Sequence, residues 1–223
     1  MSPELDDVFD EIPPGCGPVG LLSSDEFLRV ATPFDRAMLA VTGKRVALVF
    51  AADPRGAPHS ARLGLAYYRT LGADPVVVDA LIRDDATADK LPDYDVLFLA
   101  GGSPAALLAT LRDTPLWQEA LRRWREGRAL AGSSAGAMAL CRHSLVPEPG
   151  DQRPTRWQPG LGPIERVALA VHARSAPQEW LRHVLETAPV PVVALDEGVG
   201  VVLVSGEKPV IAGDGRARVL GTD

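Results

Sequence analysis

Ser134 stands in the run Gly132-Ser133-Ser134-Ala135-Gly136, with the short apolar stretch Ala129 to Ala131 before it and the small residues Ala137, Met138, Ala139 and Leu140 after it. The pattern reads as strand, sharp turn and helix. A turn that tight holds its middle residue in a strained backbone conformation, and glycine on both sides lets the two elements pass without a side-chain clash. Ser134 would then project from the carboxyl end of a strand. The Ala135 N–H, at the start of the helix, would point where negative charge develops on an attacked carbonyl. This is the plan of a nucleophilic serine. Gly-x-Ser-x-Gly also occurs in plain connections and phosphate-binding turns, so the partners of Ser134 decide its meaning.

A serine hydroxyl is a poor nucleophile until a base takes its proton, and that base needs a third group to fix its tautomer. Of the four histidines, His59 precedes a helix near a proline-rich turn, His143 lies just past the elbow helix and His183 falls mid-helix, and all three read as surface residues. His172 differs. It ends the apolar stretch Arg166 to Val171, so it should open onto the same sheet edge as Ser134. For the acid, Glu197 lies between an apolar strand and Gly198, and its neighbour Asp196 would point the opposite way on extended backbone. Asp151 and Glu148, in a long loop, are further candidates, and pattern alone leaves the choice open.

These residues need a scaffold. Arg45 to Ala52 and Tyr94 to Ala100 are continuous apolar runs of the kind that suit strands covered on both faces. Further strands are expected at Val19 to Leu22, Pro75 to Ala80 and Arg166 to Val171. The carboxyl-terminal ones, Val190 to Leu195, Val199 to Ser205, Pro209 to Ala212 and Arg216 to Leu220, read as an antiparallel meander at one edge. Helices are expected over Pro33 to Val41, about Ser60 to Leu71 and Pro177 to Thr187. Two more start at Ser103-Pro104 and Thr114-Pro115, where the hydroxyl caps and proline opens the first turn. Trp117 and Trp124 on the second of these read as core. Residues 144–163, rich in proline, glycine and charge, read as a long surface loop at the rim of a site. The alternation predicts an α/β fold: a doubly wound, mostly parallel sheet with helices on both faces and an antiparallel β-rich carboxyl-terminal edge. In such sheets ligands collect outside the carboxyl ends of the strands, and both Gly101-Gly102 and Ser134 fall there. A Gly101 or Gly102 N–H would thus face the same pocket as that of Ala135.

Composition narrows the function classes. The chain has 223 residues, 46% hydrophobic and 23% charged, which suits one α/β domain over 17–223 behind a flexible arm, 1–16, of five acids and three prolines. A net charge of −6 without any lysine- or arginine-rich run argues against nucleic-acid and anionic-membrane partners. The basic group Arg122, Arg123, Arg125 and Arg128 reads as a solvated helix face. Cys16 and Cys141 sit in no metal-ligand spacing, and Cys141 reads as a small core residue. The acidic amino terminus is unlike a signal peptide and no apolar run reaches membrane-spanning length, so a cytoplasmic protein is expected.

Four places resemble one family, the serine peptidases typified by peptidase E and cyanophycinase, whose fold is like that of class I glutamine amidotransferases. GSSAGA at Gly132 to Ala137 is similar to the family's nucleophile motif, implying Ser134 as nucleophile. AGGSPAALLATL from Ala100 resembles its glycine-rich loop, implying that the Gly102 and Ala135 amides share the oxyanion hole. GLGP followed by VALAVHA implies His172 as base, and ALDEGVGVVLV implies Glu197 as the third member. The resemblance also implies a homodimer and a small peptide substrate; the oxyanion hole requires no metal or cofactor. The sequence departs from the family at Ser103-Pro104, where asparagine or aspartate is usual, and around His172. Ser103 is therefore a substrate-binding candidate, and Arg153, Arg156 and Arg174 are candidates to hold a substrate carboxylate. The alternatives are an α/β-hydrolase esterase, which places its acid before its histidine, and a non-catalytic amidotransferase-like binding or sensor module.

Overall fold

The computed structural model describes residues 5–9, 11–148, 150–151 and 153–221; positions 1–4 and 10 of the expected arm, and 149 and 152 of the expected loop, lie outside the described residues. The chain runs α1 (Leu5–Val8), β1 (Val19–Leu22), α2 (Thr32–Val41), β2 (Arg45–Val49), α3 (Ala57–Thr70), β3 (Asp74–Val77), β4 (Val96–Leu99), α4 (Pro104–Leu111), α5 (Pro115–Arg125), β5 (Ala129–Ser133) and α6 (Ala135–Ala139). It continues with β6 (His143–Val146), β7 (Arg156–Pro159), β8 (Ala168–Ala170), α7 (Gln178–Thr187), β9 (Val192–Leu195), β10 (Gly200–Leu203), β11 (Val210–Ala212) and β12 (Ala217–Val219).

Seven strands form the central sheet in the order β11-β10-β1-β5-β4-β2-β3. From β1 to β3 all neighbours are parallel, while β10 pairs antiparallel with both β1 and β11. The unbroken apolar strands have the burial expected of them. Successive side chains leave a strand on opposite faces, so Val46, Leu48, Val96 and Phe98 join Phe34, Met38 and Tyr68 in one core under α2 and α3. Ala47, Val49, Leu97 and Leu99 join Leu107, Leu111, Trp117 and Trp124 in the other, under α4 and α5. This is the doubly wound α/β architecture expected from sequence. No described helix is long and apolar enough to cross a membrane.

Five expectations are corrected. Residues 5–9 and 11–16 do not form a free arm: Val8, Phe9 and Ile12 are buried, and Arg166 donates to the Asp7 and Phe9 carbonyls at 3.2 and 3.5 Å. Apolar residues scattered among acids and prolines show no periodicity, so only tertiary packing reveals their role. The stretch 144–163 carries the antiparallel pair β6 and β7, whose four-residue strands are hidden by the punctuation around them. The carboxyl-terminal strands are not one meander: β10 and β11 extend the central sheet, whereas β12, β9 and β8 form a separate three-stranded sheet. His172, following β8, therefore reaches the site from that second sheet rather than from the edge that carries Ser134. His59, placed before a helix from sequence, lies inside α3.

One buried charge in the α2–α3 core has a measurable consequence. Asp35 is 2% exposed and accepts hydrogen bonds from the Tyr67 and Tyr68 hydroxyls, each at 2.7 Å. Burial raises its pKa to about 6, against the opposing pull of the two tyrosines and with a further push from Glu26. The folded state therefore holds the proton more tightly than the unfolded chain does. Its stabilising contribution is complete below pH about 4 and fades as pH rises through about 6, a loss of about 3 kcal/mol. Urea unfolding of wild type and Asp35→Asn at pH 4 and 7.5 is expected to show that loss in wild type alone; parallel behaviour of the two proteins would contradict it.

Candidate active site

Ser134 occupies the turn between β5 and α6 at φ 50° and ψ −111°, a left-handed conformation that non-glycine residues rarely adopt. Strain of this kind costs about 1–3 kcal/mol and persists only where surroundings impose it. Here the Ser134 N–H donates to the Leu22 carbonyl at 2.9 Å, tying the turn to β1. The flanking glycines are forced by close approach: a Cβ on Gly132 would lie 2.5 Å from the Gly136 carbonyl carbon, and one on Gly136 would collide with the Leu99 carbonyl oxygen of β4. The half-buried Ser134 hydroxyl is thereby aimed out of the carboxyl end of the sheet.

The Ser134 Oγ lies 3.1 Å from His172 Nε2. His172 is itself at φ 55°, and its N–H donates to Ser23 Oγ at 2.9 Å while Ser23 donates to the Leu195 carbonyl at 2.9 Å. Glu197 lies in the turn between β9 and β10. Its Oε1 accepts from the Ser175 N–H at 3.1 Å, and its Oε2 is buried with no hydrogen-bond partner among the described residues. Burial works to raise the Glu197 carboxyl, but hydrogen bonds from Ser175 and from the backbone, together with His172, outweigh it and leave the group below its ordinary value. The neighbouring Asp196 is 5% exposed and engaged elsewhere, within 3.5 Å of Arg174 Nε and 3.4 Å of Arg218 Nη1, and accepting from the Arg216 N–H at 3.1 Å.

A cavity of about 520 Å³ opens over the serine, lined among others by Gly102, Ser103, Ser134, Met138, Asp151, Arg153, His172 and Trp180. Ser103 lines it while its Oγ accepts from the Ala106 N–H at 3.2 Å as the cap of α4. Of the three arginine candidates, the structure brings only Arg153 to this cavity. Its guanidinium sits 5.4 Å from the Trp180 ring centre and donates to the Ser175 carbonyl at 3.2 Å. Arg156 pairs with Glu148 at 3.7 Å, and Arg174 is held by Asp196 and by the Asp214 carbonyl at 2.8 Å. Asp151, weighed as a partner for His172, also lines the cavity, and Glu148 is engaged by Arg156.

The segment from Leu22, the last residue of β1, to Glu26 carries no motif that marks it as part of the site. It meets the turn through the Leu22 carbonyl, His172 through Ser23, the Gly198 N–H through Ser24 Oγ at 3.3 Å, and both Gly101 and Ser133 through Glu26. One signal could have found it: polar residues directly after a buried strand, at the same sheet end as the serine.

A strained serine at a strand-to-helix turn, in reach of a histidine and at the carboxyl end of a mainly parallel sheet, is the arrangement on which serine hydrolases of α/β class are built. The model of peptidase family S51 matches residues 21–211, and the chain belongs to that family of serine peptidases acting on small peptides. The structure resembles that of a peptidase from an acI-B1 Actinobacterium, with a TM-score of 0.79 and 27% identity over 92% of this chain and 91% of the other. A candidate peptidase E from Listeria monocytogenes EGD-e shares the fold at a TM-score of 0.67 and 16% identity, over 90% of this chain and 100% of the other. No curated protein matches. The match favours the peptidase over the esterase.

Proposed function

We propose that the protein is an exopeptidase of dipeptidase type in which Ser134 is the nucleophile, His172 the general base and Glu197 the group that orients it. The observation that carries this reading is the 3.1 Å approach of Ser134 Oγ to His172 Nε2 on the floor of the cavity. For Nε2 to accept the serine proton, Nδ1 must carry its own, and that N–H needs an acceptor. Glu197 Oε2, buried and without a hydrogen-bond partner among the described residues, is the acceptor assigned to it, and the His172 charge acts on that carboxyl. Ser134 attacks the carbonyl carbon as its proton passes to Nε2. The tetrahedral oxyanion is held by the Gly102 and Ala135 N–H groups; collapse expels the amine, which takes the proton from His172. Water then hydrolyses the acyl-enzyme by the same route in reverse.

Arg153 and Asp151 give the small cavity one charge of each sign, which suits a short peptide with free ends or an acidic side chain. Arg153 would meet the carboxylate, with Ser103 and its remaining hydroxyl proton beside it. Homodimeric assembly and a cytoplasmic setting belong to the same reading, supported by the family resemblance and by a content of two cysteines in 223 residues respectively. A panel of dipeptides and tripeptides with free and blocked termini tests the function. Cleavage of free-ended members is expected, together with a fluorophosphonate adduct that peptide mapping puts on Ser134. Arg153→Ala is expected to raise KM for the best substrate roughly 10- to 100-fold at nearly constant kcat, the size of one charge-assisted contact. An adduct on another residue, or no cleavage of any member, would overturn the assignment.

A further inference from the structure

Glu26 binds both halves of the site at once. Its Oε1 accepts from the Gly101 N–H at 2.9 Å and its Oε2 accepts from the Ser133 hydroxyl at 2.7 Å. Gly101 belongs to the glycine-rich loop after β4, and Ser133, fully buried, immediately precedes Ser134. The loop is held on its other side by the Ser103 N–H, which donates to the Ala52 carbonyl at 2.8 Å. Gly101 and Ser103 thus each spend their amide on the protein. The Gly102 amide between them has no hydrogen-bond partner among the described residues. Gly102 sits at φ 136°, and a Cβ there would lie 2.7 Å from the Ala52 oxygen, so the loop is confined as well as tethered.

The backbone that presents Glu26 is unusual in its own right. Asp25 and Phe27, on either side, adopt φ values of 62° and 65°, which non-glycine residues rarely do. The distortion is imposed by the surroundings: Ser24 Oγ donates to Asp25 Oδ2 at 2.6 Å, and the Phe27 ring lies 5.9 and 5.7 Å from those of Phe50 and Phe98. Strained backbone concentrates where a side chain must be held against its preference. Here that side chain is the carboxylate that spans the loop and the turn.

We propose that Glu26 is a positioning residue for the oxyanion hole: by clamping Gly101 to Ser133 it fixes the Gly102 N–H relative to the Ala135 N–H and to Ser134. The proposal rests on the Ser134 reading above. Glu26 does not touch substrate. It acts on the peptide group that meets the oxyanion, so its loss should cost transition-state stabilisation rather than substrate binding.

The test compares wild type, Glu26→Ala, Glu26→Gln, Ser133→Ala and the Glu26→Ala/Ser133→Ala double variant on the best peptide of the panel, with a matching peptide aldehyde whose hemiacetal probes the oxyanion hole. Glu26→Ala is expected to lower kcat by about 10- to 100-fold while KM stays within about twofold, because only the transition-state contact is disturbed. The aldehyde inhibition constant should rise by the same factor as kcat/KM falls. Glu26→Gln, whose amide oxygen still receives the Gly101 N–H, should recover most of the rate, and Ser133→Ala should give a smaller loss that does not add to that of Glu26→Ala. A Glu26→Ala enzyme with wild-type kcat, or a loss that Gln does not repair and that the melting temperature accounts for, would overturn the proposal. Fluorophosphonate labelling of the same samples separates the two readings. An adduct at Ser134 with unchanged Glu26→Ala turnover defeats the positioning role alone, whereas no adduct in wild type removes the serine reading and this one together.

Discussion

Ser134→Ala is expected to lower peptide hydrolysis by roughly four to six orders of magnitude, since members of a nucleophile–base–acid unit act together and only oxyanion stabilisation and binding survive the loss. Among the described residues the hydroxyl's hydrogen-bond partner is His172, at 3.1 Å. Its removal leaves the turn held by the Ser134 N–H bond to Leu22, which belongs to the backbone and persists in the variant. KM should therefore change little and the melting temperature hardly at all. Fluorophosphonate labelling should vanish in the intact mass spectrum. A variant that retains more than about a tenth of wild-type turnover, well above the residual expected when the nucleophile is gone, would show that the serine is not the attacking group.

Gly136→Ala is expected to act on the fold instead. The added methyl would meet backbone, the Leu99 carbonyl oxygen and, at 2.8 Å, its carbon. Backbone has no flexible end that can swing aside. Helix α6 would have to withdraw from β4, taking the Ala135 N–H and the Ser134 turn with it. Overpacking of this kind costs about 3 kcal/mol or more, which for a domain of this size lowers the melting temperature by roughly 6–12 °C. Activity should fall further than stability alone explains. Gly136→Val should not accumulate as folded protein. An alanine variant that melts with wild type would contradict the packing described.

Much of this was open to reading from sequence. Unbroken apolar strands disclosed a sheet covered on both faces, and the small residues around Ser134 disclosed the turn, because both depend on local pattern. His172 was identifiable for the same reason, as the residue after a buried strand. The choice of Glu197 over Asp196 came from family resemblance. The structure adds that Asp196 is occupied by Arg174 and Arg218, an engagement between residues distant in sequence. Ion pairing likewise separates Arg153 from Arg156 and Arg174. The partition of short strands between two sheets was hidden, since three or four residues do not state which neighbour they will take. Ser23 to Glu26 was hidden most completely: it has no periodicity, and the bonds that join it to the site, through Ser23, Ser24 and Glu26, are with segments far along the chain.

The two-sheet arrangement has a mechanical side. The serine and the glycine loop ride on the seven-stranded sheet and the histidine on the three-stranded one, so the distance between hydroxyl and imidazole is a clearance between two separate plates. Among the described residues no ladder of strand hydrogen bonds joins the two sheets to set that clearance. Leu22 to Glu26 does so as a gauge block would, touching the turn, the histidine backbone, the Glu197 turn and the glycine loop over five consecutive residues. Alignment tolerance in this enzyme is thus delegated to a short piece of chain that takes no part in the chemistry.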